Sequence, residues 1–200
     1  MNKTIEVTRD TFSRLELLVE GFDTPEAVII RLLDNAEGRT ETKPILSFDP
    51  SDENEFKLKL IEHKEAEVAI YKNDGTREVV RWNANRFSKS SNLRRNLWSG
   101  FLRDWKKKNI KSAKLSILPR GLNLPGDDTE QMKSLAQELE LTFDELSQLD
   151  YEIQENMSND GQVYNYIIQF HDDCDEELLA KIDGLDEHLW INVPTYVLDE

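Results

Sequence analysis

Polar and apolar residues alternate over Lys3-Thr-Ile-Glu-Val-Thr8, placing Ile5 and Val7 on one side of an extended chain and Thr4, Glu6 and Thr8 on the other. The period then lengthens. Phe12, Leu15, Val19 and Phe22 recur at helical spacing after Asp10, which suits an N-cap, and Gly21 can end that helix. Thr24 and Pro25 open a second helix with Val28, Ile29, Leu32 and Leu33 as its apolar face, closed by Gly38. One strand and two short helices cannot bury these residues alone, because the strand edges stay unpaired and short helices are marginal without packing. Antiparallel pairing with the same strand of a second chain is the simplest completion. Ile5 and Val7 are therefore the expected dimerisation residues.

Residues 39–55 are polar, finish acidic, contain two prolines and read as a linker with a short Ile45–Phe48 anchor. Strand patterns follow at Phe56–Leu60, Glu67–Tyr71 and Glu78–Trp82, the last two joined by the hairpin signal Asn73-Asp-Gly75. After a loop over Asn83–Ser91, a helix is expected from about Asn92 to Lys108, with Leu93, Leu97, Trp98, Phe101, Leu102 and Trp105 on one stripe. That shared stripe makes Trp98 and Trp105 core residues before they are stacking platforms. A strand over Ala113–Leu118 completes a small βββαβ domain.

From residue 127 onward, helices are expected at Asp128–Leu139, at Phe143–Glu155 with Thr142 as N-cap, and at Asp173–Gly184 with Leu178, Leu179 and Ile182 inward. Strands are expected at Val163–Phe170, Trp190–Val193 and Thr195–Leu198, the first preceded by an Asn159-Asp-Gly161 turn. The fold class is α+β: a dimerisation unit (1–38), a linker (39–55), a basic domain (56–119) and an acidic domain (127–200).

Over roughly its first 36 residues the chain resembles the ribbon-helix-helix superfamily. Its Lys3-Thr-Ile-Glu-Val7 strand is similar to the N-terminal oligomerisation segment of the SeqA replication-sequestration family. The resemblance implies a homodimer joined through the first strand. In DNA-reading members the outward strand side chains enter the major groove and the start of the second helix holds a phosphate. Here Glu6 takes the outward position, and Asp23 and Glu26 flank the helix start. Carboxylates facing phosphate are unfavourable, so the implied role is dimerisation first and DNA reading second.

Charge sharpens this picture. The net charge of −15 is uneven: residues 56–119 carry 16 Lys and Arg against 6 Asp and Glu, whereas residues 120–200 carry 3 against 21. The basic helix and its approach supply candidate phosphate contacts in Arg81, Arg86, Lys89, Arg94, Arg95, Arg103, Lys106 and Lys107. If the two regions touch, Asp172, Asp173, Asp175, Glu176 and Glu177 are placed to compete with phosphate for those arginines.

Other chemistry is sparse. One cysteine, Cys174, allows neither an internal disulfide nor a CxxC metal site. Asn156-Met-Ser-Asn-Asp-Gly161 starts like a calcium loop, but Ile167 stands where a bidentate Glu is required, so a hairpin turn fits better. There is no GxSxG, Gly-rich phosphate loop or HExxH, and hence no expected enzymatic activity, catalytic residue, metal or cofactor. No apolar run is long enough for a membrane span and no signal peptide opens the chain, which points to the cytoplasm. The reading is a dimeric DNA-binding regulator of transcription or replication, of bacterial or phage type. Its rival is a protein-interaction module or nucleic-acid mimic whose acidic domain binds a basic protein surface.

Overall fold

A computed structural model describes residues 4, 6–19, 24–36, 43–122 and 124–199. The chain divides into two compact units, 1–43 and 44–200.

In the first unit, α1 (Arg9–Glu16) begins two residues earlier than expected. Thr8 is its cap, accepting the Thr11 N–H at 3.3 Å, and Asp10 falls in the first turn, where its charge favours the helix dipole. Helix α2 (Pro25–Ala36) starts as expected, with the Thr24 hydroxyl accepting the Ala27 N–H at 3.2 Å. Glu6, Val7 and Thr8 belong to no strand within the chain. Lys3 and Ile5 of the expected strand, the Gly21-Phe-Asp23 break and Gly38 lie outside the described residues. Among the described residues of this unit only Val28 is buried, while Leu17 is 85% and Leu33 53% exposed.

The second unit opens with β1 (Ile45–Asp49), inside the stretch expected to be linker. Helix α3 (Glu53–His63) follows, where a strand was expected at Phe56–Leu60. Lys-Leu-Lys-Leu alternates like a strand, but Asp52 accepts the Glu55 N–H at 2.8 Å and starts a helix instead. Helical spacing buries Phe56 and Leu60 completely and leaves Leu58 60% exposed. Strands β2 (Glu65–Lys72) and β3 (Arg77–Asn83) form the expected hairpin about Asn73-Asp-Gly75, with Gly75 at φ +87°. Helix α4 (Leu93–Ser99) is shorter than predicted, and β4 (Ile110–Ile117) follows.

The basic region therefore runs βαββαβ, not βββαβ, in a sheet of order β1-β4-β2-β3 with β1 parallel to β4. Ala66, Val68 and Ile70 of β2 point to the α3/α4 face and form a core with Leu93, Leu97 and Leu115. Trp98 and Trp105 pack against that core.

The acidic region contributes α5 (Thr129–Glu138), α6 (Phe143–Leu146), β5 (Tyr151–Met157), β6 (Val163–Phe170), α7 (Glu176–Leu179), β7 (Trp190–Pro194) and a 3-10 turn over Thr195–Val197. Thr142 caps α6 in a capping box with Glu145. The helix nevertheless stops after four residues, because Tyr151–Met157 is held as a strand along β6. Residues 173–184 form one short helix and turns, and Thr195–Val197 is a turn where a strand was expected, with Val197 and Leu198 buried. The inward placement of Leu179 and Ile182 is as expected. Asn159-Asp-Gly161 makes the β5–β6 hairpin turn, with Gly161 at φ +83°.

The two cores meet at a polar seam. Helix α5 turns Leu135 and Ala136 to the core of the second sheet, and Glu130 and Lys133 to the first sheet. The helices α5 and α6 thus cover the face of β2 and β3 opposite α3 and α4.

Candidate nucleic-acid interface

The basic segment is built on the α3/α4 side of the first sheet. Asn92 caps α4 by accepting the Arg95 N–H at 2.9 Å, and the serines before it fold onto themselves, with the Ser88 N–H donating to the Ser91 hydroxyl at 3.0 Å. Two lysines from α3 and its cap hold this loop by its backbone: Lys57 Nζ donates to the Lys89 carbonyl at 2.9 Å and Lys64 Nζ to the Phe87 carbonyl at 3.2 Å. The expected long helix breaks at Gly100, where a Cβ would lie 2.9 Å from the Asn96 carbonyl oxygen. Residues 101–109 then wind through turns that send Leu102 inward and Arg103, Lys106, Lys107 and Lys108 outward.

Trp82 joins these pieces. Its ring lies edge-on to Phe87 at 5.6 Å and to Phe101 at 5.7 Å. Loop and turn are therefore fixed together, and with them the neighbouring Arg86 and Arg103. From residue 84 to 111 there are nine Lys and Arg against one carboxylate, Asp104. Among the described residues, Arg86, Lys89, Arg103 and Lys107 are exposed and form no ion pair. Arg95 and Lys106 are exposed too, the latter with its ammonium 5.6 Å from the Trp105 ring centre. Arg94 pairs with Glu53 at 2.8 Å, but both side chains are well exposed, so the pair contributes at most about 1 kcal/mol.

Arg81 stands apart from the other seven. It projects from the opposite face of the sheet and bonds Glu65 at 2.5 Å and Glu130 at 2.9 Å. Lys133, almost fully buried, bonds the remaining oxygens of the same two carboxylates at 2.7 and 2.6 Å, which closes a ring of four charges. Burial alone would lower the Arg81 pKa, but Glu65 and Glu130 outweigh it and raise it. Burial would likewise raise Glu130, which Lys133 and Arg81 hold below its ordinary value.

A second cluster lies on the same seam. Arg77 donates to both oxygens of Glu145 at 3.0 and 2.9 Å, and Lys181 reaches Glu145 at 2.7 Å. Burial would raise the Glu145 carboxyl, but Lys181, the Thr142 N–H and Arg77 together bring it down to about 2. The basic and acidic regions do touch, then, but through Glu130, Lys133 and Glu145. The expected competitors lie elsewhere: Asp175, for one, accepts the Glu177 and Leu178 N–H groups at the start of α7.

Sequence reasoning missed Lys108, although it continues the Lys106-Lys107 run, and it missed Lys72 and Glu78. These three rim a cleft of about 540 Å³ beside the turn, floored by Ile70, Val80, Phe101 and Ile110. The only signal was the glycine at position 100, which ends α4 before it can cover that end of the sheet. Among the described residues no His/Cys/Asp/Glu cluster could hold a metal, and no helix is long and apolar enough to cross a membrane. No protein-family model, curated protein or solved structure matches this chain.

Proposed function

We propose that this chain is a DNA-binding regulator that acts as a homodimer, gripping phosphates with the segment from Arg86 to Lys107. The observation that carries this reading is the exposed run of cations on a backbone fixed by Trp82, Lys57 and Lys64. A solvated helix face would need no such anchoring. The acidic region docks on the other face of the sheet and so does not cover Arg86, Lys89, Arg103 and Lys107, which are exposed. Dimerisation is supported by the first unit, whose described residues include the exposed Leu17, Ile30 and Leu33, apolar surface that a second copy would cover.

The test is the salt dependence of DNA affinity. Arg86→Ala combined with Arg103→Ala should flatten the slope of log K against log salt by about two phosphate contacts while the fold survives. An unchanged slope would show that this surface faces something other than DNA. A second reading rests on β5, an edge strand with Ile153 44% and Met157 55% exposed, which offers the acidic region a place for a protein partner. Under that reading the double variant leaves DNA affinity, whatever its value, unchanged.

A further inference from the structure

We infer that the cleft beside the basic turn takes one unpaired nucleotide of a nucleic-acid strand. This rests on the nucleic-acid reading above and narrows it from a charged surface to a shaped site. The break at Gly100 leaves the end of the sheet uncovered, and the resulting space of about 540 Å³ lies in the range of small-molecule sites. Its floor is apolar, with Ile70 and Ile110 buried and the Phe101 ring held in place by its edge contact with Trp82. A flat ring laid on this floor gains apolar contact on Phe101 and the aliphatic side chains.

The rim supplies the opposite chemistry. Lys72, half-buried, and Lys108, exposed, both line the cleft, and Lys108 continues the exposed Lys106-Lys107 run. A strand tracked along those cations reaches the cleft at its next unit, with its phosphate between the two lysines. Glu78 also stands on the rim, where it repels phosphate but accepts hydrogen bonds from an exocyclic amine. It therefore marks the side for a base edge and favours bases with an exocyclic amine, cytosine, adenine and guanine, over thymine. A base stacked inside a duplex cannot enter, so the ligand is a single strand, a frayed end or an opened pair.

The experiment uses the full chain and fluorescence anisotropy with a labelled deoxycytidine oligomer, a deoxythymidine oligomer and a blunt duplex. The expected result is tighter binding of the single strands than of the duplex, with deoxycytidine ahead of deoxythymidine. Val80→Trp, which fills the cleft, should weaken single-strand binding about tenfold and leave duplex binding unchanged. Glu78→Gln is an exposed change that keeps the fold, and it should erase the preference for deoxycytidine. Should Val80→Trp fail to fold, the smaller Val80→Phe, which narrows the cleft and leaves every cation in place, should give the same selective loss. Equal affinity of the wild type for single strand and duplex overturns the cleft and leaves the phosphate-binding surface standing. Binding of neither polymer overturns both.

Discussion

The Glu67 carboxylate, in the middle of β2, accepts a hydrogen bond of 2.9 Å from the backbone N–H of Phe143, the first residue of α6. One strand of the basic region thus satisfies a helix start of the acidic region. Glu67 is only 4% exposed, and burial pushes its carboxyl up to about 7, the Phe143 N–H opposing. Glu145 and Asp144 raise it further, and Lys114 lowers it.

A raised folded-state value means that the folded chain holds this proton more tightly than the unfolded chain. Stability from Glu67 is complete below about 4.5 and falls as pH rises to about 7. The whole shift corresponds to about 3 kcal/mol. Glu67→Gln, which keeps an acceptor for Phe143, should match the wild type near pH 4.5 and be about 1–3 kcal/mol more stable above pH 7. Urea midpoints at the two pH values measure this. A variant that is less stable at both would show that the charged form is needed.

Glu145 has the opposite sign. Its carboxyl is held at about 2, so its contribution is present above the ordinary carboxylate range and is lost as pH falls from about 4.5 to about 2. Glu145→Ala should cost about 3–5 kcal/mol at neutral pH, because it strands the mostly buried Arg77 guanidinium. Arg77 Nε and Nη2 already have no protein partner, which leaves that cation nothing to turn to. Glu53→Ala, removing the exposed partner of Arg94, should cost less than about 1 kcal/mol. Equal losses in the two variants would contradict the seam.

Fragments test both the boundary and the dimer. Residues 44–200 should fold alone, with the dispersed proton spectrum of the full chain. Residues 56–200 should not, since they lack β1 and the Asp52 cap of α3. By light scattering the full chain should be a dimer and residues 44–200 a monomer, and Ile5→Pro should reproduce that loss. A dimeric 44–200 would move the dimer interface out of the first unit.

Gly100→Ala places a methyl group 2.9 Å from a backbone oxygen that cannot easily move. It should cost about 1–3 kcal/mol. Thermal melting measures the cost, and an unshifted midpoint would mean that α4 can extend through this position.

The sequence by itself determined the elements whose signals are local. Asn73-Asp-Gly75 set a hairpin, Thr142 a helix start, and the stripe from Leu93 to Trp105 an inward face. It also determined where the cations gather, since charge is a property of composition and needs no fold.

Tertiary structure decided what depends on distant partners. Lys-Leu-Lys-Leu satisfies both periods, and it is a helix because the central sheet position is filled by β4, which also pairs with β1 more than sixty residues earlier. The helix expected to continue past Leu146 gives way at Tyr151 to a strand, because β6 supplies backbone partners that a longer helix would forgo. Arg81 looked like one more phosphate ligand, but strand alternation sends it to the face that meets Glu130. Charge read along the chain divided a basic half from an acidic one. In space the same charges pair across the division, because a buried carboxylate or ammonium is tolerated only where an opposite partner or a hydrogen bond reaches it.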